Sequence, residues 1–320
     1  MLVLGISGSP RKGGNSDTLL TAFLDEARTL GAETEKITPS SLAIRPCIEC
    51  RTCEKTGFCS IDDDMGRVYR LMRQADVIAV ASPIFFYSVT ASLKALIDRT
   101  QCLWARRHLF KLIDPGAPWR KGIFLSVGAT RGEKLFEGAT LTMKYFFDAV
   151  GSAFSGGLYY RRIENPGDIE KHATALADVR TLAGAVVGPL AARKRILYLC
   201  RENACRSQMA WGFTRLYAGD RIEAGSAGDA PAAHVNPDMV SVMAERGIDM
   251  GFISPRSITD VLQSGEPAVV VSMGCMDACP VVPGAEILDW GLADPAGRPI
   301  DFMRETRDQI EHGVKELIDS

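Results

Sequence analysis

The sequence predicts an α/β protein of two domains, each built on a parallel sheet, and three observations carry that reading. A chain of 320 residues exceeds what one small core serves. Short β-branched runs alternate with amphipathic stretches from the start, with strands expected at 2–6, 77–81 and 123–127 and helices at 15–30 and 88–103. The alternation then begins afresh, with strands at 195–199, 222–224 and 268–271 and helices at 207–217, 237–246 and 302–318. Between the two sets, 166–192 reads as an Ala-rich helix ending near Gly188 and Pro189, before the basic Arg193, Lys194 and Arg195. The expected division is a first domain at 1–165, a helical linker at 166–192 and a second domain at 193–320.

Composition narrows the class. Apolar residues at 46%, charged residues at 24% and a formal net charge of −2 lack the basic excess of a nucleic-acid binder, so no nucleic-acid partner is expected. The apolar run at 2–6 is broken by Ser7, Gly8, Ser9 and Pro10 and is too short for a signal peptide. Nowhere do roughly 18 uncharged apolar residues run together, so no membrane span is expected, and the cytoplasm is the default compartment. Eight of the nine cysteines fall in two groups, which points to metal binding or redox catalysis rather than a disulfide scaffold.

In the second half, the strand Ile196, Leu197, Tyr198, Leu199 runs into Cys200, Arg201, Glu202, Asn203, Ala204, Cys205, Arg206 and Ser207, a C-x5-R loop followed by a helix. A loop closing on a helix N-terminus aims successive backbone N–H groups at one spot, with the helix dipole behind them. A tetrahedral oxyanion fits there. Arg206 can hold two of its oxygens with a planar fork, and the same positive field favours the nucleophilic thiolate form of Cys200. The Ser207 hydroxyl is placed to donate to the sulfur or to a leaving oxygen. The alternative is a buried structural cysteine beside a surface arginine.

This half resembles the low-molecular-weight protein tyrosine phosphatases and the thioredoxin-coupled arsenate reductases, which share the loop. The likeness extends to Ser226, Ala227 and Gly228, to the stretch from Val242 to Asp249, and to Asp294 and Pro295. It implies that Asp294 is a general acid, able to protonate a departing oxygen. Cys275 and Cys279 lean to the reductase side. By resemblance, Cys275 attacks the Cys200 sulfur and releases arsenite, and Cys279 then takes over the disulfide on a loop open to an external reductant. Packing residues or zinc ligands are the alternatives for this pair. Asp289, Trp290 and Gly291, with Asp294 to Gly297, also favour a reductase. Arg201 and Glu202 depart from the simpler residues common there, and an inward Glu202 would oppose both thiolate and oxyanion. The expected catalytic set is Cys200, Cys205, Arg206, Ser207, Cys275, Cys279 and Asp294.

In the first half, a polar loop from Gly5 to Thr18 lacks both the Gly-Lys-Thr ending of a nucleotide-triphosphate loop and the dinucleotide spacing. Hydroxyls crowd the helix start instead, so Ser9, Ser16 and Thr18, with Pro10, Arg11 and Asn15, suit a terminal phosphate. A second segment, Ser82 to Val89, precedes a helix carrying Leu93 to Arg99. Together the two segments resemble the NADPH-dependent FMN reductases and the iron-sulfur flavoproteins, over about residues 1–154. The resemblance implies a flavodoxin-like fold, FMN and NAD(P)H, with Pro83, Ile84, Phe85 and Tyr87 about the flavin ring and Gly128 and Thr130 beside it. It also implies a homo-oligomer. Cys47, Cys50, Cys53 and Cys59 are spaced C-x2-C-x2-C-x5-C, close to ferredoxin spacing, so a [4Fe-4S] cluster, zinc or a plain dithiol are the candidates. Cys102 reads as a core cysteine.

Joined, the halves suggest an arsenate reductase fused to a source of electrons drawn from NAD(P)H, replacing thioredoxin in part or whole. Two other classes compete: a phosphatase fused to a flavin reductase, and a regulatory protein that binds phosphate and senses redox state.

Overall fold

The strand Val77–Pro83 is apolar along almost its whole length because a parallel sheet covered by helices on both faces leaves it no exposed side. It lies in the first of two units of a computed structural model that describes residues 1–263, 265–274 and 282–319. Unit 1 comprises Met1–Lys111 and Ala117–Ala191, and unit 2 comprises Leu112–Gly116 and Ala192–Ser320.

Unit 1 runs β1 (Leu2–Ser7), α1 (Asn15–Thr29), β2 (Glu33–Ile37), α2 (Thr52–Thr56), α3 (Met65–Gln74), β3 (Val77–Pro83), α4 (Ala91–Arg99), α5 (Gln101–His108), β4 (Lys121–Gly128), α6 (Glu137–Ala149), β5 (Ala153–Arg161) and α7 (Ala175–Ala191). Its strands are parallel in the order β2-β1-β3-β4-β5, the flavodoxin-like order. After β2 the chain crosses to the other side of β1, so the carboxyl ends of β1 and β3 border a crevice where ligands of such sheets sit.

Two expected helices differ from those found. The one expected at 88–103 is split into α4 and α5, because the Thr100 hydroxyl bonds back to the Ile97 carbonyl at 2.7 Å and the chain restarts there. The Ala-rich helix expected to link the domains is α7, and it buries Ala175, Val179, Ala183, Val187 and Leu190 in one core with Leu19, Leu20 and Phe23 of α1. Its spacing of three and four residues gives a single apolar face, and that face is covered within unit 1.

Unit 2 runs β6 (Lys194–Cys200), α8 (Arg206–Ala218), β7 (Ile222–Gly228), α9 (Pro237–Glu245), α10 (Ile258–Leu262), β8 (Val269–Ser272), β9 (Glu286–Asp289) and α11 (Ile300–Asp319), with parallel order β7-β6-β8-β9 among the described residues. Alternation along β6 sends Ile196, Tyr198 and Cys200 into a core with Met209 and Phe213 of α8, while Leu197 and Leu199 face Val261 and Val270. Cys200, the last residue of β6, is thereby delivered to the side where α8 begins. Among the described residues no helix is long and apolar enough to cross a membrane.

Candidate active site and cofactor-binding loops

The loop from Cys200 to Arg206 is held by its carbonyls. Those of Arg201, Glu202 and Ala204 accept from the backbone N–H groups of Ala230, Ala232 and Asn236 at 3.0, 2.9 and 2.9 Å. In a trans peptide the next N–H points opposite to the carbonyl. The N–H groups of Glu202, Asn203 and Cys205 are therefore turned away from the 230–236 segment, as an anion nest requires. Gly228 lets the end of β7 approach, since a Cβ there would stand 2.5 Å from the Arg201 carbonyl oxygen. Arg201 and Glu202 are exposed, so the Glu202 charge is not buried against the thiol.

Asn203 is the residue whose role sequence reasoning missed. It is fully buried with φ of 48°, a left-handed conformation that Asn tolerates better than most residues. Its Oδ1 accepts from Gln208 Nε2 at 3.0 Å and from the Arg256 N–H at 2.8 Å, while its Nδ2 donates to Ser207 Oγ at 2.8 Å. The Ser207 hydroxyl lies 2.9 Å from Cys200 Sγ. Since Ser207 Oγ already accepts from Asn203, its own hydrogen is free to point at the sulfur.

Arg206 is nearly buried, and its Nη1 donates to the carbonyls of Met273 at 3.1 Å and Leu292 at 2.7 Å. Its Nη2 faces the exposed Asp294 carboxylate at 3.5 Å. Cys200, Arg206, Ser207 and Asp294 are thus gathered around one loop. Cys205 belongs to the loop but turns its thiol to Met303 Sδ at 3.2 Å. Burial, then the neighbouring Cys200, pushes the Cys205 thiol up, which keeps it protonated. Cys275 and Cys279 lie outside the described residues. The chain enters their segment from Met273, whose carbonyl is bonded to Arg206, and from Gly274, whose N–H donates to Asp289 Oδ1 at 3.1 Å.

In unit 1, the polar loop and the segment after β3 share a cavity lined by Ser9, Pro10, Arg11, Asn15, Ser16, Pro83, Ile84, Phe85 and Gly128. Gly14, Val127, Ala129, Ile163, Glu164 and Pro166 complete it. The last three come from the stretch after β5 and escaped sequence reasoning, because nothing local marks them. Asn15 reaches that stretch directly, with Nδ2 donating to the Asn165 carbonyl at 2.9 Å and Oδ1 accepting from the Ile169 N–H at 3.3 Å. Thr18, Tyr87 and Thr130 do not line the cavity: Thr18 is inside the first turns of α1, Thr130 is exposed, and the Tyr87 hydroxyl stands against Gly132. Gly14 caps α1 with no side-chain hydrogen bond, so the first-turn amides remain for an anion.

A second cavity of unit 1 is lined by Cys47, Cys50, Cys53 and Cys59, together with Asp98, Arg99, Gln101, Cys102 and Trp104. Cys102 is buried, as expected of a core residue, and also forms part of this wall. The Ser60 hydroxyl, then Thr52, holds the Cys50 thiol at about 7, whereas burial, then Cys59, pushes Cys53 up. Four thiols opening on one cavity fit the donor set of an iron-sulfur cluster. Among the described residues they are not drawn together tightly enough to hold a single metal ion.

The comparisons with known proteins agree with this division. Residues 1–157 match the family model of the NADPH-dependent FMN reductases, and residues 195–320 match that of the low molecular weight phosphotyrosine protein phosphatases. An iron-sulfur flavoprotein of Methanosarcina thermophila is 43% identical over 131 residues, 41% of this chain, and the chain spans 65% of that relative's length. Arsenate reductase 1 of Staphylococcus epidermidis is 37% identical over 128 residues, covering 38% of this chain and 94% of its own. A glutaredoxin arsenate reductase of Synechocystis sp. is 32% identical over 127 residues, covering 39% and 96%. The chain is therefore a fusion that belongs, in its first part, to the NADPH-dependent FMN reductase family and, in its second, to the low molecular weight phosphotyrosine protein phosphatase family shared with arsenate reductases.

Proposed function

We propose that the chain is an arsenate reductase fused to an FMN-dependent NAD(P)H oxidoreductase. The observation that carries this reading is the Cys200 loop, with its carbonyls tied outward, a hydroxyl donor on the thiol and a guanidinium beside it. In the proposed cycle the Cys200 thiolate attacks the arsenic of arsenate, whose negative charge rests on the loop amides and Arg206, and a departing oxygen leaves as water once protonated by Asp294. The Cys275 thiolate then attacks Cys200 Sγ. The sulfur–arsenic bond breaks with its electron pair on arsenic, arsenite leaves, and a Cys200–Cys275 disulfide remains. Cys279 attacks Cys275, freeing Cys200 and leaving a Cys275–Cys279 disulfide.

That disulfide needs two electrons per turnover. FMN held at the Ser9–Ser16 loop would supply two-electron hydride chemistry with NAD(P)H, and a cluster held by Cys47, Cys50, Cys53 and Cys59 would supply one-electron transfer. Ser9, Arg11, Ser16 and the first-turn amides of α1 suit the FMN phosphate, with Pro83, Ile84, Phe85 and Gly128 towards the ring. Tyr87 and Thr130, outside the cavity, belong to this reading only through the resemblance. Thioredoxin or glutaredoxin is the alternative reductant of the disulfide; the Synechocystis relative is named a glutaredoxin arsenate reductase. A cytoplasmic setting, where thiols stay reduced, and a homo-oligomer are parts of the same proposal.

One observation favours a second reading. Asp294 beside Arg206 is the acid–arginine pair that ester cleavage also needs, so a phosphatase could use the same loop. The test supplies purified protein with arsenate and NADPH, with and without thioredoxin, and measures arsenite. The expected result is arsenite from the wild-type chain and none from Cys275→Ser. Aryl-phosphate hydrolysis that survives Cys275→Ser and Cys279→Ser, with no arsenite from the wild type under either condition, would overturn the reductase in favour of the phosphatase. Arsenite formed only with thioredoxin would remove the role of the fused flavin domain.

A further inference from the structure

We infer that Arg99 is a positioning residue that gathers the cysteine loop before any metal arrives, by clasping both ends of the segment that carries Cys47, Cys50, Cys53 and Cys59. The inference rests on the reading of these thiols as ligands. Arg99 is the last residue of α4, and its side chain is 1% exposed. Its Nη1 donates to the carbonyl of Arg45 at 2.8 Å, two residues before the first cysteine, and its Nη2 donates to the carbonyl of Ile61 at 3.1 Å, two residues after the last. The same two nitrogens grip Asp63, with Nη1 to Oδ2 at 2.6 Å and Nη2 to Oδ1 at 3.1 Å.

Asp63 completes the clasp from the other side. Its carboxylate accepts from the Arg45 N–H at 3.0 Å and from the Met65 N–H at 3.1 Å, and next to it Asp64 accepts from the Ala43 N–H at 2.7 Å. One guanidinium and one carboxylate therefore fix where the segment leaves the fold and where it returns. A buried ion pair of this kind contributes little net stability, because desolvation offsets the attraction. Its effect is geometric: pinning the ends removes chain entropy that ligand binding would otherwise have to overcome. Only a planar fork can bridge two carbonyls and both oxygens of a carboxylate at once. A lysine keeps the charge and loses the span.

The location reinforces the assignment. Asp98, Gln101 and Cys102, the near neighbours of Arg99, wall the cysteine cavity. At its other end α4 is capped by Thr90, whose hydroxyl donates to the Gly8 carbonyl at 2.6 Å, next to the polar loop. The helix is a strut between the two proposed cofactor cavities of unit 1, and Arg99 is its fastening at the cysteine end.

The test compares Arg99→Lys with a parent chain in which Cys200, Cys205, Cys275 and Cys279 are Ser, so that only the unit 1 thiols report. Metal-free protein is titrated with Cd2+ while thiolate-to-metal absorption is followed, and separate samples are reconstituted with ferrous iron and sulfide and analysed for both. FMN binding serves as the check that unit 1 is folded. The expected result is at least tenfold weaker Cd2+ binding in Arg99→Lys and less than half the iron and sulfide of the parent. Equal Cd2+ affinity in the two proteins would overturn the clasp. A parent that takes up Cd2+ but no iron and sulfide refutes the cluster and leaves the clasp to the Cd2+ comparison. A parent that binds neither refutes both. If Arg99→Lys does not fold, hydrogen exchange on the metal-free wild type decides: slow exchange at the Arg45 and Met65 amides supports the clasp, and exchange at the rate of an unstructured chain overturns it.

Discussion

The molecule presents the same strand–loop–helix device twice, after β1 in unit 1 and after β6 in unit 2, and the two loops are finished differently. Each brings a helix N-terminus to the carboxyl end of a central parallel strand, where amides and dipole receive an anion. In unit 1 the strand ends in Ser7, and the helix opens with Asn15, Ser16 and Asp17. In unit 2 it ends in Cys200, and the helix opens with Arg206 and Ser207. On the proposed reading, backbone geometry would account for binding in both. The side chain at the end of the strand and the one at the start of the helix decide whether the anion is only held or is attacked.

Charge is arranged accordingly. The first loop contains a buried carboxylate, Asp17, which accepts from the Ser7 hydroxyl at 2.7 Å and the Gly13 N–H at 3.1 Å and pairs with Lys36 at 2.6 Å. Such a neutralised acid shapes a loop around a ligand that is to stay. The second loop places near a thiol a guanidinium fork anchored on the Met273 and Leu292 carbonyls, which suits charge that develops and departs.

Three substitutions would sharpen or break this contrast. Cys200→Ser should lower arsenite formation about ten-thousand-fold while leaving the urea midpoint and FMN binding of unit 1 unchanged. A smaller loss in an arsenite assay would mean that the loop binds without attacking. Arg206→Lys should reduce kcat/KM for arsenate roughly a hundredfold, because a point charge cannot hold two oxygens and two carbonyls together. An unaltered kcat/KM would show that the amides alone carry the anion.

Asp17→Asn should weaken FMN about tenfold and leave riboflavin binding unchanged, since only the phosphate meets this loop. Equal losses for both ligands would mean that the carboxylate merely supports the fold. Burial alone would raise the Asp17 carboxyl, but Lys36, Ser7 and Gly13 outweigh it and hold it below the ordinary carboxylate value. Its contribution is therefore present above that ordinary value and is lost as pH falls through the lowered one. Urea midpoints at decreasing pH should show this acid loss of stability in the wild type and its absence in Asp17→Asn.

Much of the architecture could be read from the chain because central parallel strands are apolar throughout. Two of the edge strands could not. β2, with the sequence Glu-Thr-Glu-Lys-Ile, and β9, with Glu-Ile-Leu-Asp, keep most of their side chains out of the core and carry no apolar run. Their places are set by register with β1 and β8. The same limit applied at the sites. The C-x5-R spacing marks Cys200 and Arg206 locally, whereas Asn203 shows its contacts only through Arg256 and Gln208, and the third wall of the polar-loop cavity comes from Ile163, Glu164 and Pro166.

By itself the sequence determined which groups are available: two polar loops at helix starts, a cysteine and an arginine in C-x5-R spacing, and four thiols at ferredoxin-like pitch. These follow from local order, since periodicity and spacing act over a few residues. Tertiary structure alone decided how those groups are aimed. The carbonyls of Arg201, Glu202 and Ala204 are turned by a segment some thirty residues on, and the ends of the cysteine loop are joined by an arginine from a different helix. Hydrogen bonds between residues far apart in the chain form only once the sheet has brought them together, so no local pattern could have announced them.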